Sequence, residues 1–291
     1  MVQELLGILV EWNASSETDR DAAFVVASQS FKPTTAWDQR CSATVRLALV
    51  SSVVAQAMSL PMIDRLAMGM ACLVHWLWTE NQLSLQSDRS GASNAAAFYS
   101  TMEGLPADTA RLASEIDEIM DGSGPRGLSK ESLHALSPTL NLISVYLQLL
   151  ESDQDRHALL PADAIAYLIY HTREGRFDLA SMRGLLTVSS MYPLGSKVAL
   201  DNHAVGTVVR STGDTYASPI IRIDGKEGKM IDLRTSPHFI TEPLSSSGHF
   251  LHGRLPLDEY SRILWRTQRV GSVTVEHRFD PSHTLPRFRD R

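Results

Sequence analysis

The period of the hydrophobic pattern changes once along this chain, at Tyr192, and that change sets the architecture. Before it, apolar residues recur at three- and four-residue spacings, as in helices that bury one face or more. Thr44 to Met58 is rich in Ala, Val and Leu, as expected of a largely buried helix. Pro61 fits the first turn of the next helix, Met62 to about Trp78, where its missing N–H costs little. The Ser-, Asn- and Gly-rich stretch Gln82 to Asn94 predicts a loop. Pro106-Ala107-Asp108 opens a helix that runs to about Met120, where Gly122, Gly124, Pro125 and Gly127 break it. Ser129, Glu131 and Ser132 suggest a capped restart, and Leu133 to Leu150 supplies a long apolar stripe. A further helix starts at Leu160-Pro161-Ala162-Asp163, and Phe177-Asp178 precedes the last one.

After Tyr192 the runs are short and β-branched: Lys197 to Leu200, Val205 to Arg210, Pro219 to Ile223 and Met230 to Leu233. Asp201-Asn202, Ser211 to Asp214 and Asp224-Gly225 punctuate them as turns. The predicted fold is mainly α, a helical bundle followed by a small antiparallel β appendage. The expected division is an N-terminal helical extension (1–33), a helical domain (34–191), a β-meander (192–245) and a divergent tail (246–291). Within the tail, Asp258 to Arg266 suggests a helix and Gly271 to Phe279 an alternating, strand-like run.

An apolar content of 43% with 21% charged residues over 291 residues is that of a soluble globular protein with length enough for a core. A net charge of -6 argues against general nucleic-acid binding, which requires a basic surface. Cys41 and Cys72 lie in apolar helical patterns and read as buried free thiols in a reducing compartment. The apolar runs Leu47 to Leu60 and Leu66 to Trp78 are too short to span a bilayer, and no basic region precedes Leu5 to Val10. A cytoplasmic protein without a membrane span is the expectation.

The most distinctive motif is Asp121-Gly-Ser-Gly-Pro-Arg-Gly-Leu128, followed far downstream by Tyr192-Pro-Leu-Gly-Ser196. Together they resemble the HD-GYP signature of bacterial cyclic-di-GMP phosphodiesterases, whose loop reads roughly HHExxDGSGYPxGL. Here Ile116-Asp117-Glu118-Ile119-Met120 precedes the loop and its Tyr is missing. Further blocks extend the resemblance over about Thr34 to Leu244. Ala71-Cys-Leu-Val-His75-Trp76 resembles the block that ends in the His-Asp pair, with Trp76 in place of the Asp. Asn141 to Leu147 resembles a segment with two aspartates, where Ser144 and Leu147 now stand.

What the resemblance implies is a scaffold whose chemistry has been replaced. The family's phosphodiester hydrolysis needs several His and carboxylate ligands to hold two cations and activate water. The corresponding positions here are Cys41, His75, Trp76, Ile116, Asp117 and Ser144, with Glu118 possible at another and Ser93 a further lost one. His75 and Glu118 match the family; Trp76 and Leu147 add apolar bulk where charge compensation is required. The resemblance therefore implies a catalytically inactive module without metal or cofactor. It would act through a protein partner in second-messenger signalling, with a GGDEF-type protein as the model. The partner face would be the loop Asp121, Gly122, Ser123, Gly124, Pro125 and Arg126. The alternative is a receptor that binds cyclic-di-GMP without cleaving it, with Arg126 and Arg156 as nucleotide contacts. A phosphodiesterase with a rebuilt site is a third reading, and a homodimer is compatible with the apolar helices.

Each residue also has a plainer role. A lone His75 between Val74 and Trp76 suits a hydrogen-bonded core position. The Gly122-Ser123-Gly124 turn could cradle an anion or simply connect helices. Arg126 and Arg156 could form surface salt bridges. His249 and His252 suit a polar loop. The segment Arg254 to Arg291, with eight arginines against five acidic residues, suits an acidic partner or a solvated end.

Overall fold

The computed structural model describes residues 2–28, 35–84, 102–151, 158–213, 215–225 and 228–244, with backbone alone for 36–40 and 76–84. About them it builds a mainly helical body and a small antiparallel sheet, in that order along the chain. The helices are α1 (Val2–Thr18), α2 (Arg20–Ser28), α3 (Ala36–Ala57), α4 (Met62–Ser84), α5 (Thr109–Glu115), α6 (Ser137–Leu149), α7 (Pro161–Arg173) and α8 (Leu179–Ser189). Among the described residues no helix is long and apolar enough to cross a membrane.

Helix α3 is the axis of the body and packs against α1, α2, α4, α6 and α8. From Arg46 to Gln56 it is buried except for half-buried Leu49, which explains why its sequence is apolar on every side. The turn into α4 is closed at Ser59, whose φ of 58° is left-handed, and the Leu60 N–H reaches back to the Ala55 carbonyl at 3.0 Å. That bond satisfies an otherwise unpaired carbonyl of the last turn, and Pro61 then enters α4. Helix α1 lies close on α4, where Leu9 covers Gly69; a β-carbon there would sit 3.0 Å from Leu9 Cδ1. A buried polar knot fixes α1 on α3. The Gln56 amide donates to the Asn13 carbonyl (2.9 Å) and to Ser16 Oγ (2.6 Å), and Asn13 Nδ2 donates to the Leu9 carbonyl (2.8 Å). Leu9, Phe24 and Ala27 of α1 and α2 share one core with Val53, Met70, Leu140 and Leu185.

Buried charge also ties the elements of this core together. The Arg46 guanidinium donates to the Glu151 carboxylate and, at 2.8 Å, to the Ser28 carbonyl. One side chain thus ties α3 to the end of α2 and to Glu151, two residues beyond α6, and removal of either partner would leave charge stranded.

The strands are β1 (Lys197–Leu200), β2 (Val205–Arg210), β3 (Ile220–Ile223), β4 (Met230–Asp232) and β5 (Ile240–Leu244). They run antiparallel in the order β4-β3-β2-β1-β5, so the last strand returns to pair with the first. Val198, Leu200, Val208, Ile221, Ile223 and Ile240 form a second core, while Arg222, between its inward neighbours, points to solvent. Hydrogen bonds join the sheet region to the body. The Met191 N–H donates to the Tyr216 carbonyl at 2.9 Å, and Tyr216 packs against the helical core. Ser211 donates from its N–H (3.1 Å) and hydroxyl (2.5 Å) to the Asp21 carboxylate on α2.

Several element boundaries differ from the sequence expectation, among them the start of α3, which lies at Ala36 and not near Thr44. The helix expected from Pro106 to about Met120 is only Thr109–Glu115, because Asp108 is left-handed (φ 67°) and the Glu118 N–H closes a tighter turn onto the Glu115 carbonyl. The stripe from Leu133 is helical only from Ser137, where Pro138 sits in the first turn. Helix α4 runs to Ser84, past the Gln82 at which a loop was expected. Strand β5 is an addition to the four expected strands; its Pro243 masks the pattern and is tolerated because β5 is an edge.

Candidate functional site

Three helices and one turn enclose a cleft of about 240 Å³. From α3 come Ala43, Thr44 and Leu47, which lie on one face at helical spacing. From α4 come Cys72 and His75, one turn apart, and from α6 the stripe Ser144, Leu147 and Gln148, continued by Glu151. Asp117, in the turn after α5, completes the wall. Four positions singled out in the sequence, His75, Asp117, Ser144 and Leu147, therefore meet at one place.

Among the described residues, Cys41 and Ile116 do not line it. Cys41, expected to be a buried thiol, is only half-buried on α3, about a turn before Thr44, and is not among the lining residues. Ile116 is buried and contributes its carbonyl, which accepts from Asn141 Nδ2 at 3.0 Å. Trp76 lies on α4, but its side chain is outside the described residues. Arg156, Ser93, His249, His252 and the segment Arg254 to Arg291 also lie outside them.

His75 is held by its Nδ1, 2.7 Å from the Ala113 carbonyl. A carbonyl only accepts, so Nδ1 carries the proton and Nε2 faces Asp117 Oδ2 at 3.5 Å. This bond belongs to a larger pattern at the C-terminus of α5, whose last carbonyls have no intrahelical partner. Ala113 accepts from His75, Ser114 from Arg126 Nη2 (2.9 Å), Glu115 from the Glu118 N–H (3.0 Å) and Ile116 from Asn141. Arg126 also places positive charge at the negative end of the helix dipole.

Cys72, on the cleft's α4 wall, is no nucleophile. Burial pushes its thiol up to about 12, outweighing the contact with Ser51 Oγ at 3.8 Å. Gln148 donates to Ser144 Oγ at 3.1 Å, and Glu151 is engaged with Arg46. Among the described residues no group of three or more His, Cys, Asp or Glu side chains is placed to share a metal ion.

The glycine-rich turn lies beside this region and satisfies itself. Buried Glu118 accepts from the Arg126 N–H (2.9 Å), Arg126 Nε (3.2 Å) and the Leu128 N–H (3.3 Å). Gly124 passes directly over it; a β-carbon there would come within 2.6 Å of Glu118 Oε2 and 2.7 Å of Glu118 Cα. Asp121 accepts from the Ser123 N–H (2.9 Å), the Ser123 hydroxyl and Arg176 Nε (3.0 Å). The donors that would meet an external anion are thus turned onto the chain's own carboxylates.

Two buried groups escaped the sequence reading. Glu115 accepts from Ser137 Oγ (2.6 Å), the His134 N–H (2.8 Å) and Arg111 Nε (2.9 Å), stitching α5 to the start of α6. Burial works to raise its pKa, but the Ser137, His134 and Arg111 hydrogen bonds together hold it below the usual carboxylate value. The Arg111–Glu115 spacing of four was the available signal. His171 packs against Tyr167 with the rings tilted by 58° and their centroids 4.3 Å apart, and its Nδ1 lies 2.8 Å from Glu174. Burial, reinforced by Arg176, pushes it down to about 4.

No family model, curated protein or solved structure matches this chain.

Proposed function

We propose that the chain is a catalytically inactive HD-GYP-like protein, acting as an interaction or regulatory module in bacterial second-messenger signalling. The observation that carries this reading is the capping of α5. His75 and Arg126, the residues the resemblance ties to metal and nucleotide, are engaged in terminating a helix. The cleft beside them offers one imidazole, the Asp117 carboxylate, a Glu151 already engaged by Arg46, and leucine walls. A two-metal hydrolase needs more anionic and imidazole donors than that to balance the cations and generate hydroxide.

The loop Asp121 to Arg126 is the partner face in this reading. It is rigidified from below by Glu118 and from the side by Arg176, so it is presented in one conformation at little ordering cost. A GGDEF-type protein is the partner class that the resemblance implies. The receptor alternative has less support. A cleft of about 240 Å³ falls below the roughly 300–1,000 Å³ of sites for drug-sized ligands, and a cyclic dinucleotide is larger than most of those.

The test is metal analysis and a hydrolysis assay on purified protein with manganese and cyclic-di-GMP, alongside calorimetric titration of the nucleotide. The expected result is no stoichiometric metal, no turnover and no heat. Two tightly bound transition metals per chain, or hydrolysis abolished by His75→Ala, would sink the reading. Micromolar nucleotide binding without metal would transfer the function to the receptor alternative.

A further inference from the structure

We propose that the loop from Asp121 to Arg126 is held by a latch, the Arg176 side chain, and that a proton on His171 opens it. This rests on the reading of that loop as the partner face and gives the face a shut and a released state.

The latch is built from the end of α7. The chain leaves the helix through Gly175, whose φ of +82° suits glycine. The Gly175 N–H donates to the Thr172 carbonyl (3.1 Å) and the Arg176 N–H to the His171 carbonyl (3.0 Å), a paired closure that fixes the backbone at Arg176. From there Arg176 reaches the loop: Nε donates to Asp121 Oδ2 at 3.0 Å and Nη2 to Ser123 Oγ at 3.3 Å. The residue whose carbonyl anchors the latch is also the one whose ring feels its charge.

His171 is buried, packed against Tyr167 and edge-on to Tyr170 at 5.1 Å. Its Nδ1 lies 2.8 Å from a Glu174 oxygen, and a carboxylate only accepts, so a second proton enters at Nε2. Charged groups act on the ring from three places: Glu174 on its own helix, Arg176 beyond it and Asp121 on the loop. Helix α6 carries no charged side chain, and Arg183, the one on α8, is exposed. Arg176 opposes a positive ring, whereas Asp121 favours one. A protonated His171 therefore repels Arg176 and competes with it for Asp121. Coupling of this kind is reciprocal: the proton weakens the latch as much as the latch resists the proton.

The shut state also leaves a group unsatisfied. The Tyr167 hydroxyl is buried without a hydrogen-bond partner, within reach of the charges of Arg176 and Glu174. Opening the latch admits water to that hydroxyl and to the imidazolium together.

The experiment is an acid titration of the full chain by NMR, following the His171 ring and the Ser123 amide, which donates to Asp121 Oδ1 at 2.9 Å. The ring should titrate near the value of about 4 that its surroundings set, and the Ser123 amide should shift with the same midpoint. Arg176→Gln should raise the His171 midpoint and Asp121→Asn should lower it, each by roughly half a unit or more. Arg173→Gln, which removes an exposed cation nearer in sequence, should move it less than Arg176→Gln does. In His171→Gln the Ser123 step at that midpoint should shrink. Equal shifts in Arg173→Gln and Arg176→Gln, or an undiminished Ser123 step in His171→Gln, would overturn the latch. Ring and amide midpoints that differ by about one unit or more in the unmodified chain would also overturn it, whether or not the variants fold. Coincident midpoints in a chain whose loop engages no protein would keep the latch and sink the partner reading, so the two failures are distinct.

Discussion

Gly124 shows how much one residue can decide. Its Cα passes over the Glu118 backbone so closely that a methyl group would meet Glu118 Cα at 2.7 Å and the Ile119 nitrogen at 2.8 Å. Backbone atoms cannot move aside as a flexible side chain can. Gly124→Ala should therefore cost roughly 1–3 kcal/mol of unfolding free energy, the usual cost of overpacking. Gly122 makes a control, since its nearest contact for a β-carbon is an ordinary 3.7 Å. Its φ of +79° alone should cost roughly 1 kcal/mol in Gly122→Ala. Urea midpoints of both variants check the order; equal losses would mean that the Glu118 contact is not what constrains the loop. At this scale the sequence was partly readable. Pro161 opening α7 and Asp178 capping α8, where its carboxylate accepts from the Ser181 N–H at 2.8 Å, follow from local chemistry alone. The role of Glu118 does not, because its partners at Arg126 and Leu128 exist only once the loop has folded back.

Helix ends were the weakest part of the reading, and α5 shows why. A pattern of apolar spacing continues through Ile116 and Ile119, which are both buried, so periodicity gives no reason to stop at Glu115. The stop is made by partners far away in sequence: His75, Arg126 and Asn141 take the final carbonyls. Two buried groups, one at this junction and one on α7, should respond to acid with the same sign but in separate pH windows. His171 is held down to about 4 when folded against about 6.5 unfolded. Between those values the unfolded chain binds the extra proton, so stability falls as pH drops from about 6.5 to about 4, by roughly 2 to 3 kcal/mol, and no further below. Glu115 is also depressed, so its contribution is intact above the ordinary carboxylate range and disappears as pH falls through its folded value. Denaturant midpoints across pH should then separate them. His171→Gln should flatten the limb between pH 6.5 and 4, whereas Glu115→Gln should lower stability at neutral pH and flatten the limb below it. An unchanged slope in His171→Gln would mean that its ring is accessible to water when folded.

Across the whole molecule, the change of period at Tyr192 identified the order of helical body and sheet correctly, because burial on one face of a helix or strand leaves its mark in local spacing. How the two parts meet left no such mark. The contact joins Asp21 on α2 to Ser211 after β2, 190 residues apart, and neither stands out in composition. Through it the sheet grips the N-terminal helices. A carboxylate accepting two bonds, one from a backbone N–H and one from a hydroxyl, contributes more than a neutral pair when partly shielded from water. If the sheet and the body unfold as one cooperative unit, breaking this contact lowers a single transition. If they are separable, the same change uncouples two. We expect the first, since Tyr216 also packs into the helical core and Met191 is hydrogen-bonded to it. A double-mutant cycle of Asp21→Ala and Ser211→Ala should show a coupling of about 1 to 2 kcal/mol within a single urea transition seen equally by far-UV dichroism and tryptophan fluorescence. A coupling near zero would reduce the contact to a surface feature, and two resolved transitions would make the sheet an independently folding appendage.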